Sequence, residues 1–284
     1  MNRIRSAGGV EQQGPFALSP YPHDTALAQG LRQFTAVGLA EIETLALLKR
    51  RDTKYVLPAW RLVALLEALY EDYALLEIEG VRCHPYQTLY LDTPDLALFR
   101  MHHNGRRKRY KVRCRSYLAT DRSFLEIKLH TRKRTTCKVR RELVRPLTRL
   151  TPQARAFVAR QLAGQFGELP ELIPTLGNDF RRITLASERH QERLTLDLGL
   201  RLWSERGAVG LSGVVIAEIK QARPCRDAPF VRQMRAWGQR PTSLSKYCLG
   251  ISLLWPQERH NLFSRQLRLV QQCNKGELDV EWIR

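Results

Sequence analysis

No apolar run in the 284-residue chain approaches the ~20 residues that a membrane-crossing helix needs, so no transmembrane segment is expected. The opening stretch, "MNRIRSAGGVEQQGPFALSPYPHD", lacks the apolar centre of a secretory signal, and a cytoplasmic protein is the expectation. Six cysteines, Cys83, Cys114, Cys137, Cys225, Cys248 and Cys273, are scattered with no C-x-x-C pair, which removes the usual zinc and dithiol patterns and fits reduced thiols. Neither G-x-x-x-x-G-K-S/T nor G-x-G-x-x-G occurs, so the familiar Gly-rich phosphate loops are excluded. No Gly-x-Ser-x-Gly or Ser/His/Asp set points to acyl chemistry. Aromatic residues make up only 8% and do not interleave with the basic strands, so no base-stacking platform and no specific nucleic-acid partner is expected.

Acid is the scarce charge. Asp plus Glu number 28 against 47 Lys plus Arg, a formal net charge of +19, and such an excess attracts polyanions. With 43% hydrophobic residues there is ample material for a core.

Residues 1–40 read as a partly flexible N-terminal tail, 41–256 as the main domain, and 257–284 as a C-terminal helix and tail. Helical spacing recurs within Thr25 to Lys49. "RRDTKYVLPAW" reads as a strand ending at Pro58, followed by a helix whose apolar face is Leu62, Leu65, Leu66, Leu69 and Tyr73. A second helix starts with Thr151 as N-cap and Pro152 in its first turn and stops at Gly164. "APFVRQMRAWG" reads as a third, closed by Gly238, and the basic "PQERHNLFSRQLRLVQQ" as a fourth. His102 and His103 fall in a turn and read as a surface pair.

Between the helices the pattern has period two. Arg109, Lys111, Arg113 and Arg115 share one face of a strand against Tyr110, Val112 and Cys114. Glu126, Lys128 and His130 oppose Leu125, Ile127 and Leu129. Lys138, Arg140 and Glu142 fall together, as do Arg193, Thr195 and Asp197. Glu218 and Lys220 oppose Val215, Ala217 and Ile219, and "LEIK" and "AEIK" hint at two related halves. The fold class expected is α+β, an antiparallel β-barrel tunnel with helices packed outside. Like charges crowded on neighbouring strands are unfavourable unless an anion sits among them. If these faces point inward, Arg and Lys would grip phosphate oxygens, Arg bidentately. The carboxylates Glu218 and Glu126, each two residues before a lysine, would bind Mg²⁺ or Mn²⁺.

An ordered series carries a family resemblance from about Lys49 to Trp255: "RRDTKYVL", "TLYLDTPDLALF", "RYKVRCRSY", "FLEIKLH", "CKVRREL", "DFRRITL", "RLTLDLGLR", "AEIKQAR" and "SLSKYCLGIS". The series resembles the VTC domain, the polyphosphate polymerase domain of the triphosphate tunnel metalloenzyme superfamily. The resemblance implies a tunnel that takes ATP and Mn²⁺ or Mg²⁺ and transfers the γ-phosphoryl group to a growing inorganic polyphosphate chain. Lys54, Arg113, Arg115, Lys128, Lys138, Arg182, Arg193, Ser245 and Lys246 match the family's phosphate-binding positions, and Glu218 its metal ligand. Arg113, Arg115, Lys128, Arg182 and Lys246 are expected to act on the transferring phosphates. Lys54, Lys138, Arg140, Arg193, Lys220 and Ser245 are expected to hold substrate. Phe180 departs from the family pattern, which has a tyrosine there, and Ser243 stands where eukaryotic members tend to have a lysine. Triphosphate hydrolysis in the same tunnel, or polyphosphate binding without turnover, are the competing readings. The sequence names no protein partner.

Overall fold

The computed structural model describes residues 24–44, 51–131, 136–274 and 279–282. In chain order, helix α1 (Asp24–Arg32), strand β1 (Ala36–Val37) and α2 (Leu39–Thr44) precede β2 (Arg51–Pro58) and α3 (Leu62–Glu67). Next come β3 (Ala74–Leu76), β4 (His84–Asp92), α4 (Ala97–His103), β5 (Arg109–Tyr117), β6 (Arg122–His130), β7 (Thr136–Leu143) and α5 (Pro152–Leu162). The second half holds β8 (Ile173–Ser187), β9 (Glu192–Ser204), β10 (Gly207–Leu211), β11 (Val214–Gln221), α6 (Pro229–Ala236), α7 (Lys246–Leu254), α8 (Ser264–Cys273) and β12 (Asp279–Trp282).

The strands form one sheet whose central path runs β7-β6-β5-β4-β8-β9-β11-β2, antiparallel throughout. β10 and β12 extend the far half of β9, and β1 pairs with β3 in parallel. Period-two alternation gives each strand an apolar back, and helices cover it. Leu194, Leu196, Leu198, Val215, Ala217 and Ile219 pack under α1, α3 and α6. Val112, Leu125, Ile127 and Leu129 pack under Ala154, Phe157, Val158 and Leu162 of α5. The Thr151 hydroxyl caps α5 by accepting from the Ala154 amide at 3.3 Å, and Gly238 follows α6 at φ 65°, both as their residue types direct.

The interior face is not uniform. At one end Val56, Leu176, Phe180, Leu200, Leu202 and Ile216 are apolar and pack against α7, which fills that end of the concavity. Gly250 permits the fit, since a Cβ there would meet the Leu176 side chain at 2.4 Å. At the other end, the inward positions are charged.

The expected closed barrel is not formed among the described residues. No strand pairing joins β2 to β7. The outer edge of β2 is engaged elsewhere, the Lys54 carbonyl accepting from the Thr242 amide at 2.8 Å. β7 carries the exposed charges Lys138, Arg140, Arg141 and Glu142, which suit an edge strand. The result is a sheet curled into a cylinder with a seam.

Three local expectations also change. The helical spacing of Thr25 to Lys49 resolves into α1, β1 and α2, because Thr35 and Val37 lie beside β3 while Leu27, Leu31 and Phe34 enter the core; residues 45–49 lie outside the described residues. His102 and His103 end α4 instead of forming a surface pair. His103 is buried, with Nε2 2.9 Å from Asn261 Oδ1, and burial next to Lys111 and Arg109 pushes His102 down to about 2. The C-terminal helix begins at Ser264, after a 3-10 turn over Asn261–Phe263. Residues 1–23, 275–278 and 283–284 lie outside the described residues. Among the described residues no helix is long and apolar enough to cross a membrane.

Candidate active site

Cross-strand register decides which side chains meet. Glu218 on β11 stands opposite Lys54 on β2 and Thr195 on β9, and Arg182 on β8 opposite Asp197. Tyr90 on β4 faces Arg113 on β5, which faces Glu126 on β6, which faces Arg140 on β7. Each partner shares a face with its neighbour, so these residues point together into the concavity.

At its base the Asp197 carboxylate takes both Arg182 donors, Nε at 2.6 Å and Nη2 at 2.8 Å, and also the Lys246 ammonium. Burial alone would raise this acid, but Arg182 and Lys246 hold it well below the usual carboxylate range. The Arg182 guanidinium lies over the Tyr86 and Phe180 rings, and Lys246 sits 4.2 Å above Phe180. Phe180 therefore supplies an apolar and aromatic floor to the cavity.

One wall is built on Glu126, itself 2% exposed, which accepts from Arg113 Nε at 2.7 Å and meets the Lys138 ammonium. Burial pushes Glu126 up, yet Arg113, Arg115 and Lys138 outweigh it and hold the carboxyl at about 2. Arg115 is buried and donates to Thr88 Oγ1 at 3.3 Å. Lys128 keeps its exposure to solvent, while desolvation and then Lys54 lower its ammonium. Glu218 on β11 and Lys54 and Asp52 on β2 are near enough to Lys128 on β6 for their charges to act on it.

The opposite wall carries the Glu218–Lys220 pair at 3.4 Å. Burial opposes ionisation of Glu218, but Lys220, Lys54 and Arg182 hold it at about 2. Lys220 itself is lowered to about 8, by burial first and by Arg182 and Arg193 against the pull of Glu218. The roof is the start of α7. Ser245 caps it, accepting from the Cys248 amide, and its hydroxyl also takes the Lys111 ammonium at 2.7 Å; Lys54 donates to the Leu244 carbonyl at 2.8 Å. The positive end of the α7 dipole thus faces the same space as the cations.

Of the expected residues, Lys54, Arg113, Arg115, Lys128, Arg182, Lys220, Ser245, Lys246, Glu126 and Glu218 come together around this cavity. Lys138 and Arg140 lie on its exposed rim, Arg140 over the Phe124 ring at 5.0 Å, and Arg193 stands beside Lys220 at the mouth. Sequence reasoning passed over three participants. Lys111 and Asp197 were on the right faces by alternation, and the signal was there to use. Tyr90 was detectable only from its register with Arg113. Burial pushes its phenol up, but Arg113, Arg115, Lys246 and Lys111 bring it to about 8.

Among the described residues no cluster of three or more His, Cys, Asp or Glu side chains could hold a metal ion alone. Glu126 and Asp197 are each clasped by two cations. Glu218 has one ammonium partner at ion-pair distance and stays ionised, which fits a hard divalent ion completed by phosphate oxygens.

The profile of the VTC domain matches residues 49–255. The chain belongs to the VTC domain family. Solved structures similar to this VTC domain include HpAC1 from Hippeastrum, named an adenylyl cyclase and described as having a dominant triphosphatase activity. It is 17% identical at a TM-score of 0.45, over 75% of this chain and 100% of that one. A Bacillus halodurans protein, also named for adenylate cyclase, is 13% identical at a TM-score of 0.43, over 73% of this chain and 97% of that one. The PH1819 protein of Pyrococcus horikoshii is 14% identical at a TM-score of 0.40, over 73% and 100%. No curated protein matches the chain.

Proposed function

We propose that this VTC domain is an ATP-dependent polyphosphate polymerase. The supporting observation is the field inside the cavity. Lys54, Lys111, Arg113, Arg115, Arg182 and Lys246 line one concavity, held there by Leu244, Ser245, Glu126, Thr88 and Asp197, and the cations among them lower the phenol of the buried Tyr90. A space so positive in the free protein is complementary to a polyanion and poorly suited to a neutral substrate.

In this reading Arg113, Arg115 and Arg182 hold the triphosphate oxygens, while Lys128 and Lys246 neutralise the charge that gathers on the γ-phosphoryl group. Lys54, Lys220, Ser245 and, at the rim, Lys138, Arg140 and Arg193 hold the rest of the two phosphate chains. A terminal phosphate oxygen of polyphosphate attacks the γ-phosphorus. The bond from that phosphorus to the β–γ bridging oxygen breaks, the chain grows by one phosphate, and ADP leaves. The attacking oxygen is already anionic, so no general base is needed, and the work is positioning and charge stabilisation. Glu218 would hold Mn²⁺ or Mg²⁺, which when bound supplies further neutralisation of the phosphate oxygens. Glu126, the other carboxylate considered for metal, would serve first to orient Arg113 and Lys138. A cytoplasmic location, where ATP is plentiful, goes with this reading.

Incubation with ATP and Mn²⁺ followed by gel electrophoresis tests the reading. A ladder of long phosphate chains, lost in Arg182→Ala, is the expected result. Free phosphate alone would replace polymerisation with triphosphate hydrolysis, the reading that the seam favours by keeping Lys128 in contact with water. Tight ATP binding without product would leave a binding protein.

A further inference from the structure

Outside the cavity, α8 is amphipathic in an unusual way. Val270 and Cys273 are buried against the fold, whereas Arg265, Arg268, Leu269 and Gln272, at helical spacings of three and four, turn toward a groove of about 780 Å³. The facing wall is the extended segment that follows α6, with Arg240, Pro241 and Thr242. Arg240, Arg265 and Arg268 are all exposed, and among the described residues no carboxylate lines the groove. Three guanidinium groups confined without a counter-charge make a site for an extended anion.

The groove and the cavity share a stretch of chain. Thr242, part of its wall, donates from its amide to the Lys54 carbonyl at 2.8 Å, and the Lys54 ammonium bonds the Leu244 carbonyl inside the cavity. Ser243 accepts from Gln266 of α8 at 3.1 Å, which fixes the segment against the helix. Ser245 is at the roof of the cavity, and the three Cα-to-Cα steps from Thr242 to Ser245 span at most ~11 Å. The same short stretch of chain therefore borders both spaces, beside the seam between β2 and β7.

We propose that this groove binds inorganic polyphosphate outside the cavity, as a track for the part of the chain that extends beyond the reacting end. The inference rests on the polymerase reading above and adds a second site to it. A nucleic acid also carries phosphates, but the groove lining includes no aromatic ring on which bases could stack, so a bare phosphate chain is the better match. With the track in place, a long chain is held at two places and stays bound between additions; a short one is held only in the cavity.

The test uses the full chain and the double variant Arg265→Glu/Arg268→Glu, with Arg240→Glu on the opposite wall as a second variant. All three arginines are surface residues outside the proposed catalytic set, and a thermal melt confirms that each variant folds. Binding is measured for polyphosphate of about one hundred units and for tripolyphosphate, with products sized on gels. The expected result is a fall of at least about tenfold in affinity for the long chain in both variants, with a shallower salt dependence. Tripolyphosphate affinity stays within about twofold, and the product ladder shortens. Unchanged affinity for the long chain overturns the inference, as does loss of RNA binding with polyphosphate binding intact. A wild-type protein that makes no polymer refutes the polymerase reading alone, because the long-chain binding comparison is independent of turnover.

Discussion

Tyr247 on α7 donates its hydroxyl to the carboxylate of Asp92, the last residue of β4. The same carboxylate accepts from the backbone amides of Thr93, at 2.7 Å, Leu98, at 2.8 Å, and Phe99, at 2.9 Å, so one buried acid closes the turn into α4 and holds the interior helix. Two of the quoted family segments, "TLYLDTPDLALF" and "SKYCLGIS", thus meet through side chains that serve architecture. Tyr247→Phe leaves that acid one donor short and is expected to cost about 1–3 kcal/mol of stability. A urea titration measures it; a loss below about 0.5 kcal/mol would refute the assignment.

Anion affinity should fall as pH rises through 8. Lys220 loses its positive charge and Tyr90 gains a negative one near that pH in the free protein, and both changes repel phosphate. Calorimetric Kd values for tripolyphosphate at pH 7 and pH 9 check this. Tyr90→Phe removes one titration, so its Kd should rise less between the two pH values. An identical rise in both proteins would exclude Tyr90 from the effect.

Acid should weaken the fold through Glu126. Its folded pKa, about 2, lies below the ordinary 4.5, so the stability it contributes is present above 4.5 and is lost as pH falls toward 2. Glu126→Gln leaves Arg113 facing an uncharged partner and should destabilise at pH 7 by about 1–3 kcal/mol, less than for a fully buried pair because Lys138 is half exposed. The difference between the two proteins should shrink toward pH 2. A constant gap across that range would contradict the ion-pair account.

Glu218→Gln should lower metal-dependent turnover by about a hundredfold. Titration of Mn²⁺ into the ATP-bound protein gives a readout apart from turnover, and the variant's metal affinity should drop with its activity. Equal metal affinity in both proteins would remove Glu218 from the metal's surroundings.

Much of this was legible in the chain. Alternation identified the cationic faces of β5, β6, β9 and β11, because a period of two is enforced wherever one face is buried by helices. Thr151, Pro152 and Gly238 marked helix ends by local chemistry that needs no tertiary context. What escaped was tertiary. α7 is apolar on nearly every side, as a helix enclosed by a sheet must be, so "KYCLGISLL" lacks the amphipathic stripe that announces a surface helix. α4 is short, and its start depends on Asp92. Tyr90 and Asp197 gain their roles from register across strands, and the missing β2–β7 pairing from the competing hydrogen bond to Thr242. The profile match fixes the family.

The unpaired border between β2 and β7 changes how a long thread could be handled. A fully stitched cylinder releases a polymer only by drawing it out end over end, one unit at a time. On the polymerase reading, a cylinder left slit between these strands among the described residues, with Thr242 bonded to the β2 edge, would let a filament be laid in or shed sideways, so letting go of a finished chain need not slow down as that chain lengthens.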